Sequence, residues 1–286
     1  MNRRSFLKKA LGSVLAVFGL SGSTYYYARE IETGLLHVNE NIISFPSISP
    51  AFNQFKIVQF SDTHLGFQYS LDQLKELAGT INDLQPDIIV FTGDLVDSPH
   101  LYDWNPRLID ILGSLRAGHG KYWIYGNHDH GGYGTEIVLD VMKQADFTLL
   151  QNSHVLIEKE NERFILAGID DVLLGKPDIE KALQNGNPDL FTILLAHEPD
   201  YADKTIKFPV DVQLSGHSHG GQIRFPFLGH VYTPAYAEKY VEGKYTLQNG
   251  KLDLYVNKGI GTTRLPYRFL CQPEIHLFTL ENSSSL

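Results

Sequence analysis

Six short apolar runs in this 286-residue chain each stop on a side chain that carries oxygen or imidazole donors. Phe55 to Ser61 leads into Asp62-Thr63-His64, Ile88 to Gly93 into Asp94, and Tyr122 to Gly126 into Asn127-His128-Asp129. Thr192 to Ala196 ends at His197, Val212 to Gly216 at His217-Ser218-His219, and the weakest run, Phe164 to Ile169, at Asp170-Asp171. Runs of this length, rich in β-branched and aromatic residues, read as buried strands. In α/β sheets, ligands and reactive groups gather at the carboxyl ends of such strands. The pattern therefore aims several distant segments at one place.

Between the runs the periodicity changes from two to 3.6. Leu71 to Leu84 carries apolar residues at helical spacing and is ended by Pro86; Arg107 to Leu115 and Thr135 to Ala145 are also amphipathic. Shorter helices are expected over Pro177 to Asn185 and around Ala202. After His219 the chain turns strand-rich. Lys239 to Leu247 and Leu252 to Asn257 flank Asn249-Gly250, a hairpin signal, and Gln272 to Leu280 reads as a last strand. This late part is expected to complete a second sheet.

The first 24 residues stand apart. They hold Arg3, Arg4, Lys8 and Lys9 and no acid, followed by an apolar stretch from Ala10 to Leu20. The segment resembles a twin-arginine (Tat) export signal, which implies the Tat translocase as a partner during export. Ser21-Gly22-Ser23 offers a small-residue cleavage site, whereas Tyr25-Tyr26-Tyr27 suits a membrane–water interface, so a removed signal and a retained N-terminal anchor both stay open. The expected organisation is 1–24 as leader, 25–53 as an approach segment broken by Pro46 and Pro50, 54–281 as one domain, and 282–286 as a polar tail. The remainder after the leader carries a net charge of −13 against −9 for the whole chain, which argues against a nucleic-acid-binding face. Cys271 is the single cysteine, so neither an internal disulfide nor a zinc-finger spacing exists.

Asp62, His64, Asp94, Asn127, His197, His217 and His219 together offer nitrogen and oxygen donors without thiolate, a mixture suited to Mn, Fe or Zn. One Asp at a strand end is more often a helix cap than a ligand. Seven such residues at five strand ends outweigh that reading, and they are too many for one tetrahedral ion and enough for two.

Asp62-x-His64, Gly93-Asp94, Gly126-Asn127-His128-Asp129, His197 and Gly216-His217-x-His219 resemble, in order, the signature blocks of calcineurin-like metallophosphoesterases. The extended His217 to Gln222 block and the leader are similar to a bacterial exported subgroup, the YkuE-like phosphoesterases. The resemblance implies a four-layer α-β-β-α sandwich of two mixed sheets with the metal site at the carboxyl ends of the strands. It implies two divalent ions, one on Asp62, His64 and His219, the other on Asn127, His197 and His217, with Asp94 between them. A bridging hydroxide would attack a phosphate ester in line, and His128 would serve the leaving oxygen as proton donor or charge stabiliser. Asp97 matches the second carboxylate of the Gly-Asp-x-x-Asp block, while Ser98 departs from the Arg or Asn found in many members. Asp129 is expected to order its loop and Asp170-Asp171 to form a turn. His130 could touch substrate or not, and Arg264 and Arg268 could meet a phosphate or make structural bridges.

The implied activity is that of an exported phosphoesterase at the outer face of the cytoplasmic membrane, in the cell wall, or secreted. A narrower alternative is an interfacial pyrophosphohydrolase acting on a nucleotide-sugar lipid or envelope polymer. It would need an apolar patch beside the site, for which Tyr69 to Leu71, Leu101 to Trp104 and Phe225 to Leu228 are candidates. A non-catalytic binding scaffold is the alternative of another class.

Overall fold

A computed structural model describes residues 21–130 and 135–285. Most of the leader lies outside them, as does the His130–Thr135 connection. Two six-stranded mixed sheets face one another. The first contains β1 (His37–Phe45), β2 (Lys56–Phe60), β3 (Ile88–Phe91), β4 (Lys121–Trp123), β5 (Thr148–Leu149) and β14 (Glu274–Asn282), in the order β1-β14-β2-β3-β4-β5. The second contains β6 (Ser153–Lys159), β7 (Glu162–Gly168), β8 (Thr192–Leu195), β9 (Val212–Ser215), β12 (Gly243–Leu247) and β13 (Leu252–Val256), in the order β12-β13-β9-β8-β7-β6. In each sheet the central strands run parallel, so their carboxyl ends share one edge.

Side-chain alternation builds the layers. Ile57, Ile88 and Val90 point between the sheets and meet Leu166, Ile193, Leu195, Val212 and Leu214 from the second. Val58, Phe60, Ile89 and Phe91 point the other way, against α1 (Leu71–Asp83), α2 (Arg107–Gly113) and α3 (Thr135–Gln144). The far side of the second sheet, through Ile165, Ala167, Leu194 and Leu254, is covered by α4 (Ile179–Ala182) and α5 (Ala202–Thr205). Four layers with three apolar seams result, each fully buried Ile, Leu or Phe contributing about 1.5–3 kcal/mol. Strands covered on both faces read as continuous apolar runs, which is why they were visible in the sequence.

Local signals act where expected. Ser70 and Gln73 form a reciprocal capping box on α1, and Leu74, Leu77, Ala78 and Ile81 form its buried stripe. The helix expected over Pro177 to Asn185 is shorter, capped by Asp178 and ended at Leu183. The hairpin around Asn249-Gly250 forms, with Gln248, Asn249 and Gly250 all at positive φ.

Two features differ from the sequence reading. The approach segment contains the nine-residue strand β1, which pairs in parallel with β14 along its whole length. The last strand does not join the second sheet: β14 inserts into the first, between β1 and β2, antiparallel to β2. Sheet membership depends on which edge a returning strand meets, and alternation alone carries no such information. β14 runs through Asn282, and that residue's backbone N–H donates to Asn53 Oδ1 at 2.7 Å. Among the described residues, no helix is long and apolar enough to cross a membrane.

Candidate metal centre

Every one of the five strong strand ends delivers its side chains to one buried cluster. Asp62, His64, Asp94, His197, His217 and His219 are all nearly or fully excluded from solvent. Asp62, His64 and His219 lie close enough for one ion, and so do Asp94, His197 and His217. His64 Nε2 is 3.0 Å from His219 Nε2, and His217 Nδ1 is 3.2 Å from His197 Nε2. Asp94 Oδ2 lies 3.6 Å from His64 Nε2 and 3.3 Å from His197 Nε2, so this carboxylate of the second group also faces the first. Gln59, on β2, ties the sheets together below the cluster by donating to Thr92 Oγ1 and to the Ser215 carbonyl.

The backbone is bent to achieve this. Asp62, His64, Asp94, His217 and His219 all have positive φ, between 43° and 67°. Asp and Asn tolerate the left-handed region better than most residues, yet such conformations cost on the order of 1 kcal/mol or more each and cluster at functional sites. The glycines of the motif blocks have a steric reason. A methyl group at Gly126 would strike the Asp94 carboxylate, and one at Gly216 would strike Ser61 and Asp62.

A shell of partners orients the donors. His197 Nδ1 donates to the Thr92 carbonyl at 2.6 Å, leaving Nε2 for the cluster, and His217 Nε2 faces the Ala235 carbonyl at 3.0 Å. His64 Nδ1 lies 3.2 Å from Asp97 Oδ1, an oxygen that accepts from Thr263 Oγ1. The Asp97 carboxylate thus backs a cluster imidazole, the arrangement that fixes a ligand's tautomer and raises its basicity. Asp129 orders its loop, accepting from the backbone N–H groups of Asp94, Leu95 and Gly126. Burial, together with Asp94, raises its carboxyl to about 6 against those three donors.

Charge is divided unevenly. Burial would neutralise Asp62 and Asp94, but the surrounding imidazoles hold both below the ordinary carboxylate range. Burial would also discharge His64, yet Asp62 and Asp97 raise it to about 9; Asp94 likewise raises His197 against its burial. Burial and the neighbouring His197 push His217 down to about 4, and burial with His64 and Arg268 nearby lowers His219.

The donor set fits divalent ions. Imidazole nitrogens from different strands point at one another at about hydrogen-bond distance around two buried carboxylates, a geometry that calls for cations in the middle. Asn127 Oδ1 is buried at the same place with no hydrogen-bond partner. A buried amide oxygen without a donor costs about 1–3 kcal/mol, a cost that coordination removes.

His128 stands beside these two groups and makes a third close set with His64 and Asp97. Its backbone N–H donates to Asp94 Oδ1 at 2.7 Å, its Nδ1 lies 2.6 Å from the Asp97 carbonyl oxygen, and its ring lies edge-on to His64. It lines, with His64, Asp94, Asn127, His217 and His219, a cavity of about 290 Å³. The outer wall of the cavity is Ile223, Val231, Tyr232, Pro234 and Leu265, with Arg264 at its rim.

Three residues left open by the sequence are placed. His130 Nε2 is 2.8 Å from Asp170 Oδ1, so the sixth strand end, read as a turn, also pins the loop that carries Asn127 and His128. Asp170 does make that turn, accepting from the Lys176 N–H. Arg268 is fully buried and donates to the carbonyls of Lys258, Gly259, Gly261 and Cys271, a structural role. Arg264 donates to Tyr232 Oη at 2.6 Å and lies over that ring, at the cavity. The long-range partners Asp170 and Thr263 had no local signal in the sequence.

Two facing mixed sheets with a His/Asp/Asn cluster at their shared strand ends define a metallophosphoesterase. The family profile for calcineurin-like phosphoesterases matches residues 55–221, and the chain belongs to that family. It is 46% identical to the metallophosphoesterase YkuE of Bacillus subtilis (strain 168) over 99% of both chains. It is also 28% identical to the phosphodiesterase YaeI of Escherichia coli (strain K12), over 98% of this chain and 99% of that one. With the UDP-2,3-diacylglucosamine pyrophosphatase LpxG of Chlamydia muridarum it shares 27% identity, over 92% of this chain and 94% of that one. The chain is a phosphoric ester hydrolase of the metallophosphoesterase type.

Proposed function

We propose that this hydrolase works with two divalent ions and is exported by the Tat route. The observation that carries the binuclear reading is the pair of groups Asp62, His64, His219 and Asp94, His197, His217, with the Asp94 carboxylate facing His64 as well as His197 and the unpartnered Asn127 oxygen beside them. Asp62, His64 and His219 would hold one ion, Asn127, His197 and His217 the other, and Asp94 would be shared. Bound there, ions such as Mn, Fe or Zn supply positive charge against the phosphate and acidify a water for in-line attack.

The chain's own groups do the rest. Asp97, through its carboxylate on His64 and its carbonyl on His128, fixes both rings relative to each other. With Nδ1 donating to that carbonyl, His128 has Nε2 as the atom that can hold a proton and deliver it to the leaving oxygen. The His128 N–H holds the Asp94 carboxylate in place. Export is supported by the twin-arginine leader alone, with the outer face of the cytoplasmic membrane, the cell wall or the medium as destinations.

A second reading concerns the substrate. The cavity wall opposite the polar cluster is apolar, which favours a phosphate or pyrophosphate linkage carried by a lipid over a small soluble ester. The likeness to LpxG points the same way. Asp94→Asn tests the core of the proposal: hydrolysis of an aryl phosphate by Mn-loaded protein should fall to background, with circular dichroism unchanged. Retained turnover would sink the binuclear assignment.

A further inference from the structure

One surface of the molecule inverts the usual rule that apolar side chains go inside. The two-stranded ribbon of β10 (Arg224–Phe225) and β11 (Gly229–His230) projects beside the cavity mouth. Phe227 at its tip is fully exposed, Leu228 is 83% exposed, and Phe225, Val231 and Tyr232 are largely exposed around it. Leu265, half exposed, continues the patch into the cavity wall. The other two candidate segments do not compare: Tyr69 and Leu71 pack on the first helical core, as do Tyr102 and Trp104, leaving Leu101 alone in solvent.

The chain's own path indicates what meets this tip. Residues 21–31 are helical and lie against the base of the ribbon, where Thr24, Tyr25 and Ala28 share an apolar recess with Ile223, Phe225, Tyr267 and Phe269. The Tyr25 and Tyr267 rings meet at a 60° tilt with centroids 5.4 Å apart, and the Arg268 N–H donates to the Ala28 carbonyl at 2.9 Å. The apolar stretch from Ala10 to Leu20 therefore joins the described chain beside the ribbon. A membrane anchor in that stretch would tether the ribbon close to the same membrane. A projecting two-residue tip is also ill suited to a stable protein interface, which buries upwards of about 1,200 Å² of fitted surface. It is well suited to insertion at the headgroup boundary, where aromatic residues concentrate.

We propose that the β10–β11 ribbon docks on a phospholipid bilayer, with Phe227 and Leu228 entering the acyl boundary and the cavity mouth opening onto the headgroup layer. The inference goes beyond the hydrolytic reading and stands without it, because docking requires no turnover. It also gives the apolar wall of Ile223, Val231 and Leu265 a purpose, as the path of a lipid chain leaving the membrane toward the cluster.

The test uses full-length protein with Phe227→Trp, and phosphatidylcholine vesicles with and without brominated acyl chains. Ile42→Trp is the control: it is exposed on β1, in register with Thr279, which pairs with Lys56 at the start of β2 and so at the end of the sheet away from the cluster. After subtraction of wild-type emission, the tryptophan at 227 should shift to the blue and be quenched by bromine, while that at 42 does neither. An unshifted signal at 227, with the protein nonetheless bound through its leader, overturns the proposal. So does a blue shift that rises with protein concentration in the absence of vesicles, which would assign the tip to a second copy. A second variant, Phe227→Ser with Leu228→Ser, should lower turnover of a vesicle-embedded phosphate ester at least about tenfold, since each large apolar side chain withheld from the lipid forfeits about a factor of ten in partition. It should leave turnover of a soluble aryl phosphate unchanged. Equal losses on both substrates would count against docking, whereas absence of wild-type turnover on both would overturn the hydrolytic reading and leave the fluorescence result to decide this one.

Discussion

The two halves of the polar cluster are built from similar side chains but backed differently. Around Asp62, His64 and His219, one imidazole leans on a carboxylate, Asp97. Around Asn127, His197 and His217, both imidazoles lean on neutral carbonyls, and the oxygen donor is an uncharged amide. Arg268, 3.5 Å from His219 Nδ1, works against the first half, but its guanidinium is already shared among four carbonyls. The first half is therefore the richer in negative charge. In the arrangement proposed here it should hold its ion more tightly, and the second should empty first when a chelator is titrated. Cups of one cluster can thus differ in affinity without differing in the number of protein ligands.

His217→Ala puts the largest strain on that comparison. It should reduce bound metal from two equivalents to one and turnover to background; simultaneous loss of both ions would show that the halves do not bind separately. His128→Gln removes no cluster donor, so elemental analysis should still give both ions while kcat falls by about 10²–10⁴. Loss of metal in that variant would move His128 into the cluster. Asp97→Asn should weaken the first half alone, by about 10–100-fold in metal affinity, because only His64 is backed by that carboxylate. An equal weakening of both ions would erase the distinction drawn above.

The smallest effect is expected at the edge of the second half, where His130 and Asp170 pin the loop carrying Asn127. Burial disfavours the His130 imidazolium, but Asp170 raises its pKa above the usual value; Asp170 in turn is lowered to about 2, its burial outweighed by His130. The raised histidine contributes stability fully below about pH 6.5, and this fades as pH rises through its folded value. The lowered carboxyl contributes above about pH 4, and this fades as pH falls toward 2. Between those limits His130→Gln should lower Tm by a few degrees relative to wild type, with the gap narrowing above pH 6.5. A gap independent of pH would mean that the pair carries no charge.

Much of this site was legible before any coordinates. Strands covered on both faces write themselves as apolar runs, and a donor at the end of each run is a local feature, so Asp62, His64, Asp94, Asn127, His197, His217 and His219 could be picked out one by one. Asp129 was also readable as a loop organiser. What was not legible was anything set by partners distant in sequence: Thr263 on Asp97, Asp170 on His130, the carbonyls that absorb Arg268, and the entry of β14 into the first sheet. Nor does a residue type announce a positive φ, although five of the seven cluster residues adopt one.

The sequence by itself determined the donor set, because donor type and strand-end position are written in adjacent residues. Only the tertiary structure decided which donors face each other, which of two sheets takes the last strand, and that Phe225 to Leu228 project into solvent beside the cavity rather than filling a core. The physical reason is the same in each case: burial, pairing and mutual orientation belong to segments that meet only after folding, and a linear pattern carries no record of its distant neighbours.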